Sequence, residues 1–171
     1  HPFFARKGSY FQASAFLSRP AIGAEENYDK VSAEYRQCAT VGSHTLQLSL
    51  LGASSLGSDI PVYDRFTLGG LDTLAGLSRD QLAGQYAGLI QVAYRYELVR
   101  LPPALGRGIY AILRQDAGNA WDARGDISLS DLRYSTGLAL AADTGIGPCG
   151  IGFAIADREN HQFFFSVGTL F

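Results

Sequence analysis

Residues 88–98 read GLIQVAYRYEL, and their side chains alternate in polarity with a period of two. One face of this segment is wholly apolar and aromatic: Ile90, Val92, Tyr94, Tyr96 and Leu98. The opposite face carries an amide and charges among smaller apolar groups: Leu89, Gln91, Ala93, Arg95 and Glu97. Because successive side chains of a strand point to opposite sides, this pattern predicts a β-strand with one apolar and one polar face.

The same alternation recurs along the chain, whereas helical periodicity is hard to find. It predicts about eight strands of roughly ten residues, longer than soluble strands and long enough to cross a bilayer at a tilt. The other seven segments are 9–17, 27–39, 43–51, 108–118, 131–143, 149–157 and 161–171. The predicted fold class is therefore all-β: a transmembrane, antiparallel, up-and-down β-barrel. The alternative, a soluble ligand-binding barrel, would have shorter strands.

Composition and charge set outer limits on the function. The 171 residues are expected to form one domain, 1–171, and 14 Lys and Arg nearly balance 16 Asp and Glu. Such a chain offers no basic surface for nucleic acid. Although 47% of the residues are hydrophobic, no run approaches the ~20 residues of a membrane-spanning helix. The chain has no Met, so we expect a processed product or a fragment.

The connections between the predicted strands differ in length. Outer-membrane barrels have short periplasmic turns and longer outer loops, and one very long connection runs from about residue 53 to 87. Loops of this length are usually functional or disordered. Four residues near strand ends are expected in an interfacial girdle: Tyr10, Tyr28, Asn119 and Trp121.

Several segments together resemble a known family. The segments are DRFTLGGLDTLAGLSRDQLAGQ (64–85), RQDAGNAW (114–121), DTGIGPCGIGFA (143–154) and FFFSVGTLF (163–171). They resemble the bacterial surface-antigen superfamily of outer-membrane insertase and secretion barrels. The similarity is greatest to the C-terminal barrel of patatin-like phospholipase autotransporters, which belong to type V secretion. The resemblance implies an integral outer-membrane protein in contact with lipid, inserted by the barrel assembly machinery and covalently linked to a passenger domain.

The resemblance also implies that the long loop, about residues 53–87, folds back into the barrel interior. In the family an Arg-Gly-aromatic motif at the loop tip faces acidic groups on the barrel wall. The corresponding tip here consists of Leu74, Ala75, Gly76 and Leu77. Ala75 replaces the arginine and Leu77 the aromatic residue. Four wall charges point to the same interior, where they pair with one another, with Arg79 of the loop, or form an ordinary polar network: Arg95, Glu97, Arg114 and Asp116.

One predicted strand has an inner face almost without side chains: Gly150, Gly152, Ala154 and Ala156. Small residues allow another backbone to approach closely, which suits a loop that enters the barrel. The same residues would also suit tight packing in a narrow barrel.

The C-terminus resembles the insertion signal of the superfamily, an aromatic-x-apolar-Gly-x-x-aromatic pattern. The residues that match it are Phe165, Val167, Gly168 and Phe171. Physically, an outward aromatic side chain belongs on lipid, and a last strand must pair with a first strand to close a barrel.

The number of strands in the assembled barrel is open at this point. Relatives have sixteen strands, so the chain corresponds to the C-terminal half of such a barrel. It could also form a homodimer or a small closed barrel. We expect a closed eight-stranded barrel with the long loop outside it or capping it, because an eight-stranded interior is filled by its own side chains. An open sheet in lipid would leave edge groups unsatisfied.

No catalytic motif is recognisable, and the chain is expected not to be an enzyme and to hold no cofactor or metal. The Gly-x-Ser-x-Gly pattern of a hydrolase is absent, and the histidines lack ligand spacing. Cys38 and Cys149 are expected on opposite faces, which argues against a disulfide. The expected function is a membrane anchor and translocator for an N-terminal passenger, a patatin-like phospholipase. The alternatives are an insertase-like assembly factor and, through Ser43 and His44, an outer-membrane lipid enzyme.

Overall fold

The computed structural model describes residues 6–19, 26–102, 105–145, 147–157 and 160–168. It contains ten β-strands, of which eight form one antiparallel sheet. The strands of that sheet are β1 (Gly8–Ser18), β2 (Tyr28–Val41), β3 (His44–Ser54), β6 (Tyr86–Arg100), β7 (Gly106–Trp121), β8 (Arg133–Thr144), β9 (Gly147–Ala156) and β10 (Asn160–Val167). The two others, β4 (Phe66–Leu68) and β5 (Leu82–Gly84), form a small hairpin of their own.

The large sheet is a continuous up-and-down meander in which neighbours in sequence are neighbours in space. Its order is β1-β2-β3-β6-β7-β8-β9-β10, and every pair is antiparallel. The long loop connects β3 to β6 and contains the β4–β5 hairpin. In the part of the chain that the structure describes, three short 3-10 turns lie outside the strands, at Val62–Asp64, Arg124–Asp126 and Leu129–Asp131.

The two faces of the sheet differ as the alternation predicts. We call the face packed against the long loop the inner face, and the opposite one the outer face. Large apolar side chains of the outer face are exposed, and those of β6, β8, β9 and β10 include Ile90, Tyr94, Leu138, Leu140, Ile151, Phe153, Ile155, Phe163 and Phe165. The buried residues lie on the inner face, in two clusters that join the sheet to the loop. This arrangement confirms the all-β, antiparallel up-and-down fold.

The strands of the large sheet run from 8 to 16 residues. All eight are longer than the five or six residues typical of soluble strands, and most match the length of membrane-barrel strands. Within the described residues, no helix is long and apolar enough to cross a bilayer.

The expected closure of eight strands into a small barrel is wrong for this structure. Among the described residues, β1 and β10 lie at the two ends of the strand order, and each pairs with a single neighbour, β2 and β9. The expectation that the long loop lies outside the barrel or caps it is also wrong, because the loop packs on the inner face of the sheet. The physical reason is that an eight-stranded closed barrel would have no interior left for this loop.

Two of the expected girdle residues point inward instead of toward lipid. Tyr28 is buried, and its hydroxyl donates a hydrogen bond to Asp64 of the long loop, with an O–O distance of 2.5 Å. Tyr10 lies on the same side of the sheet, because it alternates with the outward Phe11 and pairs in register with Arg36. Trp121 lines an outer-face groove with Leu50 and Ile90.

Candidate functional site

A row of four residues crosses the inner face at right angles to the strands. Gln91 pairs in register with Asp116, Asp116 with Ser135, and Ser135 with Ala156. Paired residues of antiparallel strands project from the same face. The four side chains therefore form a continuous line over β6, β7, β8 and β9, which we call the inner row.

The tip of the long loop, Leu74–Leu77, lies on this inner row through its main chain. The Ala75 N–H donates to Asp116 Oδ2 at 3.3 Å, and the Gly76 N–H donates to Ser135 Oγ at 2.8 Å. Beside the tip, Gln91 Nε2 donates to the carbonyl oxygen of Thr73 at 2.7 Å. The polar side chains of the inner row thus satisfy buried peptide groups of the loop, which would be costly to leave unpaired.

Arg114 lies one row further along β7, on the same face as Asp116. Its Nε donates to Asp116 Oδ1 at 2.6 Å. Its two terminal nitrogens donate to the carbonyl oxygens of Leu71 and Thr73. The side chains of Arg114 and Asp116 are only 4% and 0% exposed, so the ion pair is completed by hydrogen bonds, as a buried pair requires.

Gly76 makes the closest approach between the loop and the sheet. A Cβ atom at this position would lie 2.2 Å from the backbone nitrogen of Ala156 and 2.7 Å from its Cβ. No side chain fits at such distances, so the contact needs glycine on the loop and a small residue on β9. The small residues of β9 therefore do admit another backbone, as the sequence suggests.

Apolar packing surrounds these hydrogen bonds on both sides. Ala75 belongs to a buried cluster with Ile112 of β7, Ala154 of β9 and Phe164 of β10. Leu74 and Leu77 belong to a second cluster, which also contains Leu68, Ala87, Leu89 and Ala156. Full burial of a leucine side chain is worth about 1.5–3 kcal/mol, so the two leucines contribute substantially to loop docking.

The four wall charges predicted from sequence separate into two places. Arg114 and Asp116 contact the loop, as described above. Glu97 instead accepts hydrogen bonds from Arg100 at 2.8 Å and Arg6 at 3.4 Å. Arg95 is buried, with a terminal nitrogen 3.8 Å from the sulfur of Cys38. The loop arginine considered as a partner, Arg79, is highly exposed and lies 3.7 Å from Asp80.

Sequence reasoning did not single out Gln91 and Ser135 as loop-binding residues. Both are polar residues on the inner face of their strands, and this placement is the signal by which the sequence could have identified them. Their function depends on register, because only the pairing of β6, β7 and β8 places them beside Asp116.

The N-terminal part of the long loop is attached to β2 by a second polar contact. Asp64 accepts a hydrogen bond from Tyr28 and lies 2.6 Å from the Lys30 ammonium group. Burial alone would raise the pKa of Asp64, but hydrogen bonds from Lys30 and Tyr28 outweigh it and hold that pKa below the ordinary value.

The proposed C-terminal signal is described only in part. Phe165 and Val167 are exposed on the outer face of β10, and Gly168 follows the strand with a φ of +87°. Phe171 lies outside the described residues. The signal function of these residues stays a prediction.

The candidates for chemistry do not assemble into a reactive centre in the described ranges. His44 Nδ1 lies 2.6 Å from the Tyr94 hydroxyl on the outer face, and Cys38 and Cys149 are free thiols. Among the residues the structure describes, no group of three His, Cys, Asp or Glu is placed to hold a metal ion.

Comparison with known proteins agrees with this architecture. The family model of the Omp85 superfamily domain matches residues 1–171. The outer membrane protein assembly factor BamA of Nitratidesulfovibrio vulgaris is 25% identical over 190 residues, which cover 96% of this chain and 23% of that protein. The chain thus spans about a quarter of the length of this curated relative. A match over the whole chain, on a sheet with an apolar outer face, shows that the chain belongs to the Omp85 superfamily of integral outer-membrane β-barrel proteins.

Proposed function

We propose that this chain is the loop-bearing part of an Omp85 barrel that assembles other proteins into the outer membrane. The observation that carries the proposal is the docked loop packed against β10, a terminal strand of the sheet. Among the described residues β10 pairs with β9 alone, so its other edge offers backbone N–H and C=O groups to a further strand. Such an edge can add an incoming strand by main-chain hydrogen bonds.

The docked loop would support this edge. Ala75 of the loop tip packs in one cluster with Phe164 of β10, and Phe164 lies over Gly152 of β9. A Cβ at Gly152 would lie 2.3 Å from the ring of Phe164, so the ring sits directly on the neighbouring backbone. In this proposal the loop keeps β9 and β10 in place while a client strand pairs with the free edge.

Similarity to an assembly factor favours this function over passenger export. The relative is named for outer membrane protein assembly, and we extend that activity to this chain as a proposal. Export of a covalently linked passenger, with a patatin-like phospholipase as the passenger, stays the prediction of the autotransporter resemblance. A hydrolase domain in the sequence immediately upstream would favour export.

The test is a client-folding assay with the natural full-length protein in lipid vesicles. A small outer-membrane barrel, unfolded in urea, is diluted into the vesicles, and its folded fraction is followed by heat-modifiable mobility on gels. We expect folding to be several-fold faster than in empty vesicles. An unchanged rate would contradict the assembly function.

We also propose that the chain has no catalytic function of its own. His44 bonds to the Tyr94 hydroxyl near the end of β3, where a polar residue at the membrane interface is common. The His44→Ala variant and the natural protein should show the same background in a phospholipid hydrolysis assay. Hydrolysis that is lost in the variant would instead establish a lipid enzyme.

A further inference from the structure

The tip of the long loop has no charged side chain with which to hold itself in the barrel. Leu74, Ala75 and Leu77 are apolar, and all three are buried. Ala75, at the position where the resemblance places an arginine, packs into an apolar cluster. The side chains that hold the tip by polar contacts must therefore come from the sheet.

Arg114 has the geometry to provide that attachment. Its guanidinium group donates to one carboxylate oxygen of Asp116 and to two loop carbonyls, those of Leu71 and Thr73. A planar guanidinium with five N–H donors can bind three acceptors in fixed directions, whereas a lysine ammonium group is a compact point charge.

Asp116 links Arg114 to a second point on the loop. One of its oxygens accepts from Arg114, and the other accepts from the Ala75 N–H. Arg114 therefore acts on the loop in two ways. It binds loop carbonyls directly, and it orients the carboxylate that binds the next loop N–H.

We propose that Arg114 is the positioning residue that holds the long loop inside the barrel, by recognising its main chain from the β7 side. In this chain the arginine is on the sheet and its acceptors are on the loop, the reverse of an arginine at the loop tip. Gly76 is then the one tip position that cannot carry a side chain. The polar contacts of the tip are made by its peptide groups, so they do not depend on the identity of its side chains. If Arg114 holds the loop, it also helps to keep β10 in place, because β10 contacts the loop through Phe164. This consequence rests on the proposed function.

The experiment measures how fast a buried loop thiol reacts. In the natural protein with Cys38, Cys149 and any cysteine beyond this chain replaced by serine, Leu74→Cys is the reporter, because Leu74 is 0% exposed. Val62→Cys, in the exposed part of the same loop, is the matched control. Labelling with a maleimide in detergent micelles gives the rate for each, and heat-modifiable mobility reports whether the barrel is folded.

Three variants separate direct loop binding from simple charge neutralisation. Arg114→Ala should raise the labelling rate of the Leu74→Cys reporter by about tenfold or more, because buried acceptors lose charge-assisted hydrogen bonds. Arg114→Ala combined with Asp116→Asn should leave the rate equally high, since the loop carbonyls still lack their donor. Asp116→Asn alone should raise it less. The Val62→Cys control should react at the same rate in every background.

Two results would overturn the proposal. One is protection restored in the double variant, which would make Arg114 only a counter-ion for Asp116. The other is full protection in Arg114→Lys, the variant that keeps the charge and is used if Arg114→Ala does not fold. The labelling rate reports loop docking and not client folding. A loss of loop protection with unchanged client folding would therefore be distinguishable from a loss of client folding with the loop still protected.

Discussion

Gly76 shows how strictly the loop–sheet contact depends on single residues. A Cβ there would lie 2.2 Å from the backbone nitrogen of Ala156, and neither backbone can retreat without breaking the hydrogen bond from Gly76 to Ser135. Gly76→Ala should therefore lower the free energy of unfolding by about 1–3 kcal/mol, the usual cost of overpacking. Urea unfolding in lipid vesicles measures it.

Gly125 is the matched control for that substitution. It lies in a surface turn, and a Cβ there would meet nothing within 4 Å. Gly125→Ala should leave the unfolding midpoint unchanged. Equal stability of both variants and the natural protein would show that the loop does not pack on β9 as described.

Asp64 gives the loop a pH-dependent attachment. Its pKa is lowered in the folded state by Lys30 and Tyr28, so its contribution to stability is present above the unfolded pKa of about 3.9. That contribution is lost as the pH falls through the lower folded pKa. The urea midpoint for unfolding of the natural protein in vesicles should therefore fall when the pH is lowered below 4.

The Asp64→Asn variant tests the cause of this pH dependence. The amide cannot ionise, so the variant should unfold at a lower urea concentration than the natural protein at neutral pH, and its midpoint should respond less to acid. If the variant and the natural protein respond to acid identically, another group controls the attachment.

At this residue scale the sequence predicts which residues face the interior but not which residues they contact. It places Arg114 and Asp116 on one face and the tip Leu74–Leu77 in the interior, through resemblance. It could not predict that Arg114 binds Leu71 and Thr73, because the path of the loop depends on contacts distant in sequence. The same limit explains why the sequence groups Glu97 with Asp116, although Glu97 pairs with Arg100.

At the scale of single strands, alternation carries most of the prediction. In β6 the exposed and buried residues alternate as the sequence indicates, with Ile90 exposed and Leu89 buried. Alternation could not orient the tyrosines near strand ends. Tyr28 turns inward because it shares the parity of Lys30 and finds Asp64 as a partner.

Neighbouring residues of β3 provide a direct test of the two faces. Leu48 belongs to the outer face and Gln47 to the inner face. Leu48→Arg should destabilise the barrel by about 2–4 kcal/mol near the bilayer midplane, because the charge would enter hydrocarbon. Gln47→Arg should cost much less, because its side chain faces the polar interior. Urea unfolding in vesicles distinguishes the two, and equal costs would contradict the assignment of faces.

At the scale of the whole molecule, the sequence does not predict whether the eight strands close into a barrel of their own. Alternating strands are compatible with a small closed barrel and with part of a larger one. The structure decides against the former by placing β1 and β10 at opposite ends of the strand order and the loop on the inner face. Unpaired edges are costly in lipid, so these two strands are expected to pair with further strands in the assembled barrel, and the proposed function requires the partner of β10 to give way to a client strand.

The central claim is that the apolar face of every strand touches hydrocarbon while the other face lines an interior that the loop occupies. Spin labels placed singly at 45–50 along β3, in vesicles, test it most directly through collision rates with oxygen and with a water-soluble nickel reagent. We expect high oxygen collision at Leu46, Leu48 and Leu50, and low oxygen collision at Thr45, Gln47 and Ser49. Equal oxygen collision on both faces, or nickel contact at Leu48, would contradict the claim.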